Sequence, residues 1–263
     1  MNFVQNTLLG LYRGVRRTGF LATRPGRVLF EAVYWTYKSM IEARDVRSLK
    51  SYVVAGSTVI DVGANIGFFT VPFARWVGSE GQVISVEPEA VNFDSLRDRV
   101  QRLGLSNVVS LVNAAAIEVP GRVRLAVNLD NPADHRVAEQ GIPVTAVTVD
   151  ALVGERGWPD VSLIKIDVQG SELRVIRGAL QTLRRFQPAL FVELHEPSLV
   201  EAGTSTAELV GELLELGYAP YALDATGSWM QINEREIREK QEKMEARGYF
   251  DVLLLHRGHK NDA

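Results

Sequence analysis

Apolar positions recur along this chain in two periods, and the two alternate. Short β-branched runs ended by glycine, proline or polar residues mark strands at Thr58–Val62, Gln82–Val86, Val108–Val112, Ser162–Val168 and Ala189–Leu194. Between them lie stretches of helical spacing at Ile66–Trp76, Glu89–Leu103, Ser171–Phe186 and Ser205–Leu216. The last opens on Ser205-Thr206-Ala207-Glu208, a capping box, and stops at Gly217. Tyr218–Leu223 and Phe250–Leu255 complete the apolar runs as an expected antiparallel pair. Strand–helix alternation of this kind implies a mostly parallel sheet with right-handed crossovers and helices on both faces. The expected architecture is therefore α/β and Rossmann-like, with seven strands.

Three regions depart from the rhythm. Residues 1–20 have the look of a short amphipathic helix, broken at Thr23-Arg24-Pro25-Gly26. Residues 27–50 place Leu29, Val33, Tyr34, Tyr37 and Ile41 at helical spacing. Together they predict a helical cap over residues 1–50 on a main domain spanning 51–258, with a tail at 259–263. Residues 113–150 hold two further short strands, Arg122–Asn128 and Val144–Val149, around a polar stretch from Asp130 to Gly141. Residues 234–247 carry ten charged residues in fourteen, with Glu234/Arg238, Glu236/Lys240 and Glu239/Lys243 in the favourable order for a solvated helix.

Charge changes the picture at one end. The chain's formal charge of -3 conceals a split: residues 1–50 carry nine Lys/Arg against three acids, and the remainder 20 against 29. Such a basic segment suits a solvated helical face, or contact with a membrane surface or other anionic partner. No apolar run approaches the ~20 residues of a membrane span, and Arg13 interrupts the leucines near the start, so no secretory signal is expected. A cytoplasmic protein is the default, with the inner face of a membrane as the variant that the basic segment suggests. Without cysteine there are no disulfides, thiolate metal sites or Cys nucleophile.

The candidate chemistry begins where the first strand ends. Val59-Ile60-Asp61-Val62-Gly63-Ala64-Asn65-Ile66-Gly67 is an apolar strand running into a glycine turn and a helix, which points backbone N–H groups into the crevice beyond the strand ends. Gly63 permits the sharp turn, Gly67 permits close packing, and Asp61 organises the turn or meets a ligand ammonium. Glu87 ends the next strand, 24 residues after Gly63, where a carboxylate accepts from both hydroxyls of a ribose. Asn113-Ala114 follows the third strand, where an adenine would lie. A third glycine at dinucleotide spacing is lacking, which disfavours a nicotinamide dinucleotide.

These residues resemble those of a known family. Asp61-Val62-Gly63-Ala64-Asn65-Ile66-Gly67-Phe68-Phe69-Thr70 is similar to the S-adenosylmethionine (SAM) turn of the FkbM-type methyltransferases. Val86-Glu87-Pro88 follows at the expected place, and Ile164-Lys165-Ile166-Asp167-Val168-Gln169-Gly170-Ser171-Glu172 resembles that family's second signature. Pro188–His195 fits as well, and the likeness covers roughly residues 50–255. One position departs: the family usually has Glu where this chain has Gln169. The resemblance implies a class I fold and SAM as cofactor, with Asp61, Gly63, Asn65, Gly67, Phe68, Glu87, Pro88, Asn113, Ala114 and Asp167 around it. It also implies O-methylation of a hydroxyl on a sugar, polysaccharide or secondary metabolite, without identifying the acceptor.

Removing a hydroxyl proton needs a base. Asp167 ends the fourth strand and is a base, a metal ligand or a loop organiser. His135 lies in the insertion between Asp134 and Arg136. Glu193 and His195, two apart on the fifth strand, share a face. No cluster has dedicated metal spacing, although Asp167 with Glu193 would hold Mg²⁺ if folding joined them. The expected partner is a small-molecule or glycan acceptor and not a nucleic acid; oligomeric state is open. Two other classes stay open: an NAD-dependent oxidoreductase, and a non-catalytic SAM-binding or interaction module.

Overall fold

A computed structural model describes residues 43–128, 131, 134–243 and 249–258, with Gly26, Trp35 and Thr36. The expected helices at 1–20 and 27–50 therefore lie largely outside the described residues, as does the tail at 259–263. Residues 43–48 are helical and run into a 3-10 turn at Lys50–Tyr52.

Five parallel strands form the centre: β1 (Thr58–Val62), β2 (Gln82–Val86), β3 (Val109–Val112), β8 (Val161–Ile166) and β9 (Ala189–Leu194). All five residues of β1 and all six of β8 are buried. Helices cover both faces, so these strands have no solvent side on which to alternate. Ile60 and Val62 enter one apolar cluster and Val59 the other, as the two-residue period of a strand requires. The helices are α1 (Thr70–Val77), α2 (Ala90–Arg102), α3 (Val149–Gly154), α4 (Glu172–Arg177), α5 (Leu180–Phe186), α6 (Glu196–Glu201), α7 (Thr206–Glu215) and α8 (Glu234–Lys243).

The expected seven strands become eight in this sheet. β12 (Phe250–His256) lies antiparallel between β9 and β10 (Tyr218–Leu223), and β11 (Trp229–Gln231) hairpins onto β10. The order is β3-β2-β1-β8-β9-β12-β10-β11 among the described residues. The additional strand is three residues long, too short to show a period. Residues 113–150 fold as a separate four-stranded sheet: β4 (Ala115–Ala116), β5 (Gly121–Ala126), β6 (Arg136–Ala138) and β7 (Ile142–Val147), in the order β4-β7-β5-β6. β6 lies in the stretch read as merely polar.

Two helix boundaries moved for local reasons. The first helix starts at Thr70 rather than Ile66, because Asn65 and Gly67 are left-handed, with φ of 49° and 91°. The expected helix over 171–186 is two helices. Asp150 of α3 accepts from the N–H groups of Gln181 and Thr182 and from the Thr182 hydroxyl, giving α5 its own N-terminal cap. In α8 the observed ion pair is Arg235–Glu239, while Glu236 turns back to accept the N–H of Asn233. No helix among the described residues is long and apolar enough to cross a membrane.

Candidate functional site

The carboxyl ends of β1, β2 and β8 meet around the turn Gly63–Gly67. Gly63 has φ of 76°, and a Cβ there would stand 1.8 Å from the carbonyl oxygen of Asp167. The turn therefore closes against the end of β8 with no room for a side chain. Glu87, which ends β2, is 4% exposed. Its Oε2 accepts the N–H of Asn65 at 2.8 Å and its Oε1 that of Glu89 at 2.9 Å. A carboxylate offers about four lone-pair sites, so acceptor capacity remains for the hydroxyls of a ligand. Burial raises the Glu87 pKa to about 7, against the opposing pull of those two N–H groups.

Asp61 is fully buried. Its Oδ2 takes the Thr70 hydroxyl at 2.6 Å and its Oδ1 stands 3.5 Å from the Lys165 ammonium. Of its two expected roles, organising the turn is the one this geometry favours. Asn113 donates through Nδ2 to the carbonyls of Glu87 and Pro88, at 2.8 and 3.2 Å. It thus fastens the stretch that carries Glu87, beside buried Ala114 and half-buried Pro88.

Lys165 carries no role in the sequence pattern, yet it is central to the site. It is 2% exposed, donates to Gly63 O at 2.8 Å, and lies 3.4 Å from Asp167 Oδ2. A buried ammonium demands such partners; here they belong to two strand ends, which it joins. The available signal was its place in Leu163-Ile164-Lys165-Ile166, an otherwise apolar stretch of β8. Asp167 and Glu193 do meet, through Gln169, whose Nε2 donates to Asp167 Oδ1 at 3.1 Å and Glu193 Oε2 at 2.6 Å. Gln169 has φ of 52°. The buried Glu172 supports this loop by accepting the N–H groups of Gly170 and Val168.

The insertion reaches the helix that follows β9. Arg136 pairs with Asp134 at 3.0 Å and with Glu201 on α6, so the small sheet is tied across to the element after β9. His135 is half-buried, and burial lowers its pKa while the fields of Glu89 and Asp134 oppose. Its Nδ1 accepts the N–H of Asn128 at 3.1 Å. In the neutral ring the proton therefore sits on Nε2, which makes that nitrogen a donor. His195 stands one step past β9 and caps α6, with its Nδ1 2.6 Å from the Ser198 hydroxyl. Burial lowers its pKa too, and the charges of Asp134 and Arg136 reach it. Glu193 and His195, expected on one face, thus turn to different partners. Among the described residues no group of three or more His, Asp or Glu is placed to hold a metal ion.

A cradle that any Cβ would fill and a buried carboxylate with acceptor sites to spare suit a nucleoside ligand. Comparison with known proteins agrees. The family model described as "Methyltransferase FkbM domain" matches residues 61–220. The chain is 25% identical over 197 residues to the hexuronic acid methyltransferase AglP of Haloferax volcanii, covering 69% of this chain and 76% of that protein. It is 38% identical over 71 residues to the ubiquinone/menaquinone biosynthesis C-methyltransferase UbiE of a Marinomonas species, covering 27% of this chain and 28% of that one. The crystal structure of methyltransferase FkbM from Methylobacillus flagellatus has the same fold, with a TM-score of 0.50 and 18% identity over 77% of this chain. The chain spans less than half of that structure's length, at 44%.

Proposed function

This chain belongs to the FkbM methyltransferase family, and from that premise we propose that it methylates a hydroxyl of a sugar-containing acceptor, with SAM as its cofactor. Family membership ends the nicotinamide alternative. The observation that carries the rest is His195, held just past the carboxyl end of β9 with its Nδ1 2.6 Å from the Ser198 hydroxyl.

Gly63, Asn65, Gly67, Phe68 and Glu87 would hold SAM, with Asp61 and Lys165 fixing the turn beneath. Bound SAM supplies a methyl already activated by its sulfonium. The protein then has to orient one hydroxyl and take its proton. In the tautomer whose Nδ1–H donates to Ser198, His195 Nε2 presents a lone pair that would accept that proton. His135, a donor at Nε2, orients the acceptor oxygen. Asp167 and Glu193, bridged by Gln169, order the strand ends.

The sugar acceptor is supported by the relative named for hexuronic acid methylation. We assign the acceptor side to the insertion at 113–150. The basic charge of residues 1–50 suits contact with a membrane surface or an anionic glycan. The test pairs calorimetry with SAM and mass spectrometry of candidate glycans incubated with enzyme and SAM. Binding followed by a single methyl gain on a hydroxyl is expected. Failure to bind SAM sinks the reading, and binding without transfer to any hydroxyl leaves a binding module instead.

A further inference from the structure

Trp35 touches Phe68, the residue that follows the Gly63–Gly67 turn. The Trp35 ring meets Phe68 edge-on, with centroids 5.1 Å apart at 64°, and the Arg99 guanidinium lies 4.0 Å from the Trp35 centroid. Phe68 follows Gly67 directly. Arg99 belongs to α2, and its Cδ and the Leu96 Cδ1 stand 3.7 and 2.8 Å from where a Cβ on Gly67 would be. From Phe68 a row of rings continues through Phe69 at 5.6 Å, Phe191 at 5.7 Å and Trp229 at 6.2 Å. Trp229 Nε1 then donates to Ser48 O at 3.4 Å. The row begins and ends on residues before the first strand, and the Lys165 ammonium stands 5.3 Å from the Phe69 centroid.

Asn65 holds a left-handed φ of 49°, a conformation that a non-glycine residue keeps only where neighbours enforce it. Glu87 holds the turn from the ligand side through the Asn65 N–H. On the other side Phe68 is held by Trp35, itself fixed by a cation on its ring. We propose that Trp35 is a positioning residue for the cofactor turn, acting through Phe68, so that the N-terminal segment helps to set SAM affinity. This rests on reading Gly63–Gly67 as the SAM site.

The experiment measures SAM binding by calorimetry, and melting without ligand, for the full-length wild type and variants. Trp35→Ala should weaken SAM binding about ten-fold, and Trp35→Phe should restore most of it. Arg44→Ala, which cuts the segment's separate contact with Asp224 O, should lower melting and leave affinity unchanged. Trp35→Ala binding SAM within about two-fold of wild type overturns the proposal. So does an equal loss of affinity in Arg44→Ala, which would mark a general loosening. If Trp35→Ala fails to fold, Arg99→Gln decides: several-fold weaker binding supports the proposal, and unchanged binding overturns it. A wild type that fails to bind SAM overturns the functional reading instead.

Discussion

The backbone N–H of Asn65 donates to Glu87 Oε2 at 2.8 Å, so the turn after the first strand is fastened by the residue that ends the second. On the proposed seating of SAM in this turn, its binding is coupled to the charge of Glu87. Burial holds the Glu87 pKa near 7 without ligand, and a cationic ligand favours the ionised form. SAM affinity should rise as pH climbs toward 7, then level off, with proton release at lower pH. Glu87→Gln should lose about 1.5–3 kcal/mol of binding and flatten the pH dependence. Calorimetry in two buffers of different ionisation heat checks both. A Glu87→Gln protein with wild-type affinity removes Glu87 from the ribose role.

Gly63 and Gly56 separate backbone strain from collision. Both have positive φ, but a Cβ on Gly56 meets nothing within 4 Å, while one on Gly63 meets Asp167 O at 1.8 Å. Gly56→Ala should cost about 1 kcal/mol of stability and leave SAM binding intact. Gly63→Ala should cost about 2–4 kcal/mol and abolish binding, because the turn must leave the end of β8. Urea unfolding with ligand titration reads both; equal behaviour of the two variants contradicts the packing argument.

Glu172 makes stability depend on pH. Burial raises its pKa from 4.5 to about 7, against the pull of the Gly170 and Val168 N–H groups. Between those values the native state binds more protons than the unfolded one. Stability of the ligand-free protein should therefore fall as pH rises from about 4.5 to 7, and stay level above, by at most ~1.4 kcal/mol per pH unit for each such group. Glu87 contributes in the same window. Glu172→Gln should remove roughly half of the slope in urea unfolding at pH 5, 6, 7 and 8; an undiminished slope would show that Glu172 is not its source.

His195 should carry the pH dependence of turnover. Burial lowers its pKa below the usual 6.5, and the base works deprotonated. Turnover at saturating SAM should rise through that lowered value and be flat above pH 7. His195→Ala should lose about 10²–10⁴-fold in kcat with SAM affinity retained. Ser198→Ala should shift the profile, since the Ser198 hydroxyl fixes the ring. His135→Ala should raise the acceptor KM more than it lowers kcat. Normal turnover by His195→Ala would pass the role to another group.

Much of this is legible in the amino-acid sequence. The β1 run, the glycine turn and Glu87 stand close in sequence, and one βαβ unit brings them together by local rules. β1, β2, β9 and β10 keep the bounds that their apolar pattern indicates. Family membership came from two such local segments in order. What sequence left open involves distant partners. Lys165 meets Gly63 from 102 residues away, Gln169 meets Glu193 across 24, and Arg136 meets Glu201 across 65. Whether Asp61 faces a ligand or a buried lysine follows from which strand ends pack side by side. Periodicity records which face a residue presents; it carries no record of what the fold puts opposite, and here that opposite partner sets the pairing and the reach of Asp61, Lys165 and Glu193.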